Sequence, residues 1–406
     1  MKPMGPIPPG FSADAEGRLL IGDRAAEDLV QEAGGTPLFV YDTALVGQQI
    51  ALFRASMPRE VSLHYAVKAN ASGPLLSWLA DKVGGFDVAS AGELGRVAHL
   101  GLPISFAGPG KTDQQLETAI RAGVSINLES EGEAERALAI AGQGGRPPKL
   151  AVRVNPPFAL KGAGMKMGGL ASQFGVDHER APSLVRRLID AGADWRGLHI
   201  FTGSQTLQAD ALIDAQAATV ALAAEISDAA GASPPEVNLG GGFGIPYFAG
   251  DRPLDIEPIG ASLAKTLANR PKVLAESRFA IELGRWIVGE AGVYLTRIVD
   301  RKESRGETFL VTDGGLHHVL AASGNFGQLL RRNYPVALAN KFGSAPEETA
   351  TITGCLCTPL DLLAHEVELP RADVGDVVAI FCAGAYGLSA SPQEFLSQPR
   401  AREILV

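Results

Sequence analysis

Three short segments carry residue types that could do covalent and electrostatic chemistry. Lys68 closes the apolar run Leu63-His64-Tyr65-Ala66-Val67-Lys68-Ala69. A lysine there reads in two ways. It is either a solvated strand terminus, or an amine that a partly apolar mouth desolvates, which lowers its pKa and makes it an imine-forming nucleophile. The run Asn238-Leu239-Gly240-Gly241-Gly242-Phe243-Gly244 sets three glycines in a row. Lacking Cβ atoms, they leave backbone N–H groups open to a phosphate monoester, although the same run could be a tight turn. Neither a Rossmann glycine fingerprint nor a P-loop Lys-Ser/Thr accompanies it. Ser204, after Gly203, could add a hydroxyl to the same anion. Glu282-Leu283-Gly284-Arg285 places a carboxylate three residues before a guanidinium. The two could pair with each other, or Arg285 could join the anion site while Glu282 meets a protonated ring nitrogen.

An imine-forming lysine, a phosphate cradle and a carboxylate for a ring nitrogen together describe pyridoxal 5'-phosphate. No metal is expected.

These residues need a frame to bring them together. From about residue 60 to 285 the chain repeats one rhythm, a short apolar or β-branched run followed by an amphipathic segment. Eight such runs are read: 63–69, 86–90, 104–108, 124–129, 149–155, 197–203, 236–242 and 278–284. Eight strand–helix units predict an α/β fold, a (β/α)8 barrel of the TIM type; a doubly wound open sheet competes. The barrel is favoured because Lys68, Asp87, Arg153, Ser204, Gly240 to Gly242, Glu282 and Arg285 all fall at or just after strand C-terminal ends, the face on which barrels carry chemistry. After Trp286 the runs stay strand-like without such helices, so a mainly β C-terminal domain is expected. The predicted division is a barrel over 44–285, a discontinuous β domain of 13–43 and 286–406 that takes RLLIG and TPLFVYD as strands, and a flexible segment 1–12. The Gly-rich stretch 155–175 is expected to be a loop over the barrel mouth.

Composition is consistent with this frame. The 406 residues are 46% hydrophobic and 20% charged, as in a soluble globular chain, and the net charge of −9 argues against binding nucleic acid. The 48 glycines exceed the roughly 7% share usual in proteins. No apolar stretch has the length of a signal h-region or a membrane span, and Cys355, Cys357 and Cys382 are too few for a disulfide framework. A cytoplasmic protein with reduced thiols, and no membrane partner, is expected.

In order and spacing, PLFVYD, YAVKAN, FDVASAGEL, HIFTGSQ, NLGGGFG, ELGR, CTPLD and GAYG resemble the fold-III pyridoxal-phosphate decarboxylases of the ornithine, diaminopimelate and arginine type. The chain is more closely similar to the decarboxylases associated with exosortase A systems and to those acting on carrier-protein-tethered aminoacyl groups. The resemblance implies an alanine racemase-like barrel and a PLP-dependent carboxy-lyase. It makes Lys68 the internal-aldimine lysine, sets Gly241, Gly242, Gly284, Ser204, Arg285 and Tyr386 at the phosphate, and sets Glu282 at the pyridine nitrogen. Asp87, Arg153 and Phe201 complete the cofactor site. It also implies a head-to-tail homodimer, in which Cys357 enters the partner's site to protonate Cα of a quinonoid intermediate, with Thr358 and Asp361 near the substrate.

Four positions depart from the family pattern. Phe201 stands where a histidine usually stacks on the ring; it can stack but cannot donate a proton. Leu283 and Cys355 replace prolines. Thr358 follows the cysteine where members acting on diamino substrates place an acid, which would leave a buried distal ammonium without its counter-charge. A neutral, acidic or thioester far end is therefore expected, and Lys161, Lys166, Arg331 and Arg332 lie in loops that could receive a carboxylate or an acidic carrier protein. Decarboxylation of a free basic amino acid, racemisation, and a non-catalytic partner-binding role are the alternatives.

Overall fold

The computed structural model describes residues 2–142, 144, 146–162, 164–166, 168–328 and 330–406. The chain divides into two compact units, one of residues 51–244 and 253–284, the other of residues 1–50, 245–252 and 285–406.

The first unit is a closed barrel of eight parallel strands. In order these are Val61–Ala66, Gly85–Val88, Ile104–Phe106, Ser125–Leu128, Lys149–Asn155, Asp194–Ile200, Glu236–Asn238 and Arg278–Leu283. Each pairs with the next, and the eighth returns to the first with Glu282 opposite His64, which excludes the open sheet. The connecting helices follow local rules. In Asp113–Ala122 the Thr112 hydroxyl accepts from the Gln115 amide at 3.3 Å, the Gln115 side chain accepts from the Thr112 amide at 3.2 Å, and Gly123 ends the helix at φ 68°. Such a box contributes about 1 kcal/mol.

All the strands but the fifth end earlier than their apolar runs, and at two of them the local reason is plain. The first gives way at Val67–Ala69 to a single helical turn that carries Lys68. The seventh stops at Asn238, because Gly240 at φ 69° and Gly242 at φ 102° leave the extended region.

The barrel's inward positions are unusually polar. Barrels of this type normally fill their centre with branched apolar side chains. Here His64, Asp87, Asn127, Arg153, His199, Asn238 and Glu282 are all less than 8% exposed within the strands. One stands on each of seven strands, all but the third.

The second unit is built on the 13-residue strand Gly292–Ser304. Its first half pairs with Leu38–Tyr41 and Val377–Ile380, and its second half with Glu307–Thr312. The strands Val336–Leu338, Glu348–Thr353, Leu362–Leu369 and Arg402–Leu405 extend this sheet. TPLFVYD thus joins the main sheet, but RLLIG does not. Leu19–Ile21 pairs instead with Ser12–Ala13 and Arg24–Ala25, in a separate three-stranded sheet. Its inward residues Leu19 and Ile21 still enter the core with Leu38, Val40, Val293 and Leu295, so packing rather than strand pairing holds it. The segment expected to be flexible carries hydrogen bonds from the Lys2 amide to Glu366 O (2.8 Å) and from the Gly5 amide to Asn333 O (3.3 Å). Among the described residues no helix is long and apolar enough to cross a membrane.

Glu290 in this unit yields a stability prediction. Burial pushes its carboxyl up from 4.5 to about 7. The folded state then holds a proton the unfolded chain has lost, so stability is full below pH 4.5 and declines as pH rises through 7. At about 1.4 kcal/mol per pH unit, ionising Glu290 costs the fold about 3 kcal/mol. Glu290→Gln should therefore melt at a higher temperature than the wild type at pH 8 and at nearly the same temperature at pH 4; equal melting temperatures at pH 8 would refute the assignment.

Candidate active site at the C-terminal end of the barrel

The turn after the first strand presents Lys68. The Tyr65 hydroxyl donates to Asn70 O at 3.0 Å, and Asn70 Oδ1 accepts from the Ser72 amide at 3.0 Å, which pins the turn on both sides. Gly284 brings the eighth strand against it: a Cβ there would lie 2.6 Å from Ala69 Cβ. Lys68 is exposed, with Nζ 5.3 Å from the Phe201 ring centroid. Phe201 directly follows the sixth strand and offers a flat face beside the amine.

The glycine run lies against its neighbours' backbones. A Cβ on Gly240 would meet Ile200 O at 2.7 Å, one on Gly241 would meet Glu282 O at 2.1 Å, and one on Gly242 would meet Gly203 O at 3.1 Å. Both readings of this run therefore hold together: packing demands glycine, and the same packing gathers the ends of the sixth, seventh and eighth strands. Among the described residues no protein acceptor takes the Gly241 or Gly242 amide. The Ser204 hydroxyl is likewise buried without a partner. The stretch 155–175 crosses this end, since Met165–Lys166 pairs with Gly203–Ser204.

Two buried carboxylates face one small cavity, of about 30 Å3, with Lys68, Arg153 and His199. Burial alone would raise the pKa of Glu282, but His199 (Nε2 3.2 Å from Oε2), Lys68 and Arg153 together hold it below the ordinary carboxylate value. Asp87 moves the other way: burial and then the Glu282 charge raise it well above 3.8, against smaller opposing effects from Ser105 and Lys68. The two carboxylates are therefore pushed apart, Glu282 toward its ionised form and Asp87 toward its protonated one. His64, 3.8 Å from Asp87, is kept neutral by burial, so that contact is not an ion pair. Arg153 pairs with Glu129 at 2.9 Å, and Glu129 also accepts from the Gly108 and Gly175 amides, tying two loops to the fifth strand.

Apart from Lys161 and Lys166, the remaining expected residues belong to the second unit. Arg285, which follows Gly284 in the chain, donates to the Tyr247 hydroxyl at 3.2 Å and lies 4.6 Å from the Tyr386 ring centroid. Cys357 is exposed. Thr358 Oγ1 accepts from the Leu360 amide at 3.3 Å, and Asp361, 3% exposed, accepts from the Leu316 and Leu356 amides at 2.6 and 2.8 Å. Among the basic residues, Lys161 pairs with Asp214 at 3.5 Å, Arg331 donates to Ser323 O and Leu362 O, and Arg332 stacks 3.7 Å from the Phe248 ring centroid. The Lys166 side chain lies outside the described residues.

His199 is the site residue that sequence reasoning missed. The available signal was position: His199 lies in the sixth strand, two residues before Phe201, at the end of the strand that carries the site.

The residues present fit pyridoxal phosphate. Lys68 offers an amine, Phe201 a flat ring beside it, and Glu282 a carboxylate held toward its ionised form. The Gly241 and Gly242 amides and the Ser204 hydroxyl are free for a phosphate. Comparison with known proteins agrees. The family model for the pyridoxal-binding domain of pyridoxal-dependent decarboxylases matches residues 43–289. An L-glutamyl-[BtrI acyl-carrier protein] decarboxylase of Niallia circulans is 35% identical over 383 residues, covering 91% of this chain and 88% of its own. A diaminopimelate decarboxylase of Methanothermobacter thermautotrophicus is 32% identical over 412 residues, 98% of this chain and 92% of its own. The structure of M. jannaschii diaminopimelate decarboxylase with L-lysine superposes with a TM-score of 0.84 at 25% identity, covering 98% and 93% of the two chains. The barrel and these matches together place the chain in the family of pyridoxal-phosphate-dependent decarboxylases, carboxy-lyases with an alanine racemase-like barrel and a second, mainly β unit.

Proposed function

We propose that this enzyme decarboxylates an α-amino acid whose far end carries no ammonium, presented as an aminoacyl thioester on an acyl carrier protein. The observation that carries the reading is Thr358. It stands directly after Cys357, and its hydroxyl is spent on the Leu360 amide, so this position offers no carboxylate to a distal ammonium. The 35% identity to a carrier-protein-dependent glutamyl decarboxylase supports the same reading.

Within the site, Lys68 would hold the cofactor's aldehyde carbon, and the Gly241 and Gly242 amides, the Ser204 hydroxyl and Arg285 its phosphate. When bound, the cofactor supplies the electron sink that accepts the pair left behind by carbon dioxide. Glu282 would hold the ring N–H, its negative charge being the protein's main electrostatic contribution, and Phe201 would stack on one ring face. Cys357, exposed at the tip of its loop, is suited to serve a second copy of the chain in a homodimer, where its thiol returns a proton to the substrate's α-carbon.

The test incubates purified enzyme with free diaminopimelate, lysine, ornithine and glutamate, and with glutamyl carrier protein, and follows the loss of one carbon dioxide by mass spectrometry. The carrier-bound substrate should exceed free diaminopimelate in kcat/KM by roughly 10^2 or more, the cost of an uncompensated buried ammonium. Preference for free diaminopimelate would overturn the reading in favour of a diaminopimelate decarboxylase, which the 32% identity over 98% of the chain favours.

A further inference from the structure

The family resemblance sets Asp361 near the substrate, but its carboxylate is spent inside the second unit. Thr353 pairs with Leu362, so residues 354–361 connect the strands Glu348–Thr353 and Leu362–Leu369, and Cys357 is exposed in that connection. A pair of strands can be closed by about two residues. In the longer connection found here only the side chains of Leu356 and Asp361 are buried, so packing holds little of it and hydrogen bonds give it its shape. The Gly354 amide donates to Asp361 O at 3.0 Å and the Leu356 amide to Asp361 Oδ2 at 2.8 Å. Oδ1 of the same carboxylate accepts from the Leu316 amide at 2.6 Å. Two residues beyond Leu316, His318 is fixed at both ring nitrogens: Nε2 donates to Pro399 O at 2.9 Å and Nδ1 accepts from the Tyr294 hydroxyl at 3.0 Å. Tyr294 is fully buried in the long strand Gly292–Ser304. An unbroken series of contacts thus runs from the central strand to the Cys357 connection, and Asp361 is its last link. The carboxylate has no room to turn, since a Cβ on Gly315 would lie 2.4 Å from its oxygens and one on Gly354 2.2 Å from Oδ2.

We propose that Asp361 is a positioning residue for Cys357: by gripping the Leu356 and Leu316 amides its carboxylate fixes where the thiol stands relative to the central strand of its own unit, and it makes no contact with substrate. The inference rests on the proton-donating role proposed above for Cys357. A donor presented to a second copy of the chain stands only where its own connection puts it, and a misplacement of about 1 Å costs on the order of 10^2 in rate. A carboxylate suits this task because both of its oxygens accept, and a charged acceptor binds an N–H more strongly than a neutral one. An amide in its place would keep one acceptor and turn its NH2 toward the other N–H. Two further side chains secure the same connection. Arg331 donates to Ser323 O and Leu362 O, and Asn325 Nδ2 donates to Leu360 O at 3.1 Å.

The test measures kcat and KM of cofactor-loaded Asp361→Asn, Cys357→Ala and the double variant, with glutamyl carrier protein, or with free diaminopimelate should that prove to be the substrate. Asp361→Asn should lower kcat at least tenfold and leave KM within about twofold of the wild type. Added to Cys357→Ala it should cost no more than about a further twofold, because a residue that acts through the thiol then has nothing left to position. A tenfold rise in KM would make Asp361 a substrate ligand, and defects that multiply in the double variant would make it a structural residue alone; either result overturns the inference while leaving the role of Cys357 intact. Wild-type kcat in Cys357→Ala would overturn that role and this inference with it. Should Asp361→Asn not fold, hydrogen exchange in the wild-type protein decides. The Leu316 and Leu356 amides should exchange at least roughly 10^2 more slowly than the Cys357 amide, which no protein acceptor takes among the described residues, and equal rates would overturn the grip.

Discussion

Lys68→Ala is expected to lower kcat/KM by at least roughly 10^3, because it removes the amine that anchors the cofactor and against which the substrate's own amine exchanges. The fold should be untouched. Lys68 is exposed, and the turn that presents it is held by Tyr65, Asn70 and Gly284, so thermal stability should stay within about 0.5 kcal/mol of the wild type. Borohydride reduction followed by peptide mass spectrometry gives a readout independent of turnover. Wild-type enzyme should retain the cofactor's mass on the Lys68 peptide, and the variant should retain it nowhere. Activity within tenfold of the wild type, or a labelled lysine other than Lys68, would refute the assignment.

Glu282→Gln should have the next largest effect, a loss of about 10^2–10^3 in kcat with little change in KM. Glutamine keeps the volume and can still meet His199 Nε2, so what is lost is the charge. That charge matters because His199, Lys68 and Arg153 hold the Glu282 pKa below its ordinary value despite burial. A carboxylate with a depressed folded-state pKa stays ionised well to the acid side of neutrality and loses its charge only as pH falls through that lowered value. The acid limb of the activity profile should therefore not report Glu282. The variant should be impaired by the same factor from pH 6 to pH 9, and a defect that vanishes at either end would count against the role. The substitution should also be felt across the cavity. Burial is the main cause of the raised Asp87 pKa and the Glu282 charge is the second, so in Glu282→Gln the Asp87 carboxyl should titrate lower, measurable by 13C NMR of labelled aspartate.

Much of this site was legible because its parts lie in short contiguous segments. Lys68 in its apolar run, the Gly240 to Gly242 turn and the Glu282-to-Arg285 segment each announce a chemistry through residue type alone. The eight-strand rhythm was equally plain, and the fifth strand spans the same 149–155 read from the sequence. Other features depended on distant partners. Val336–Leu338 and Arg402–Leu405 are three and four residues long and carry little pattern of their own; each is a strand because a distant segment supplies its hydrogen bonds. RLLIG reads as a strand in either sheet, and only packing assigns it to the small one.

His199 shows where the line falls. Its neighbours along the chain mark it as one of the inward positions of a barrel strand, an ordinary place for a satisfied core histidine. Barrel closure brings the eighth strand back to the first, and only then does Glu282, 83 residues further along, come within 3.2 Å of its ring. The sequence by itself determined the cofactor class and the order of the strands, because these depend on local periodicity and on the chemistry of single side chains. The tertiary structure decided in which direction each of two buried carboxylates is pushed, and that a polar well underlies the barrel. Both follow from distances across a closed barrel, and no run of neighbouring residues encodes such distances.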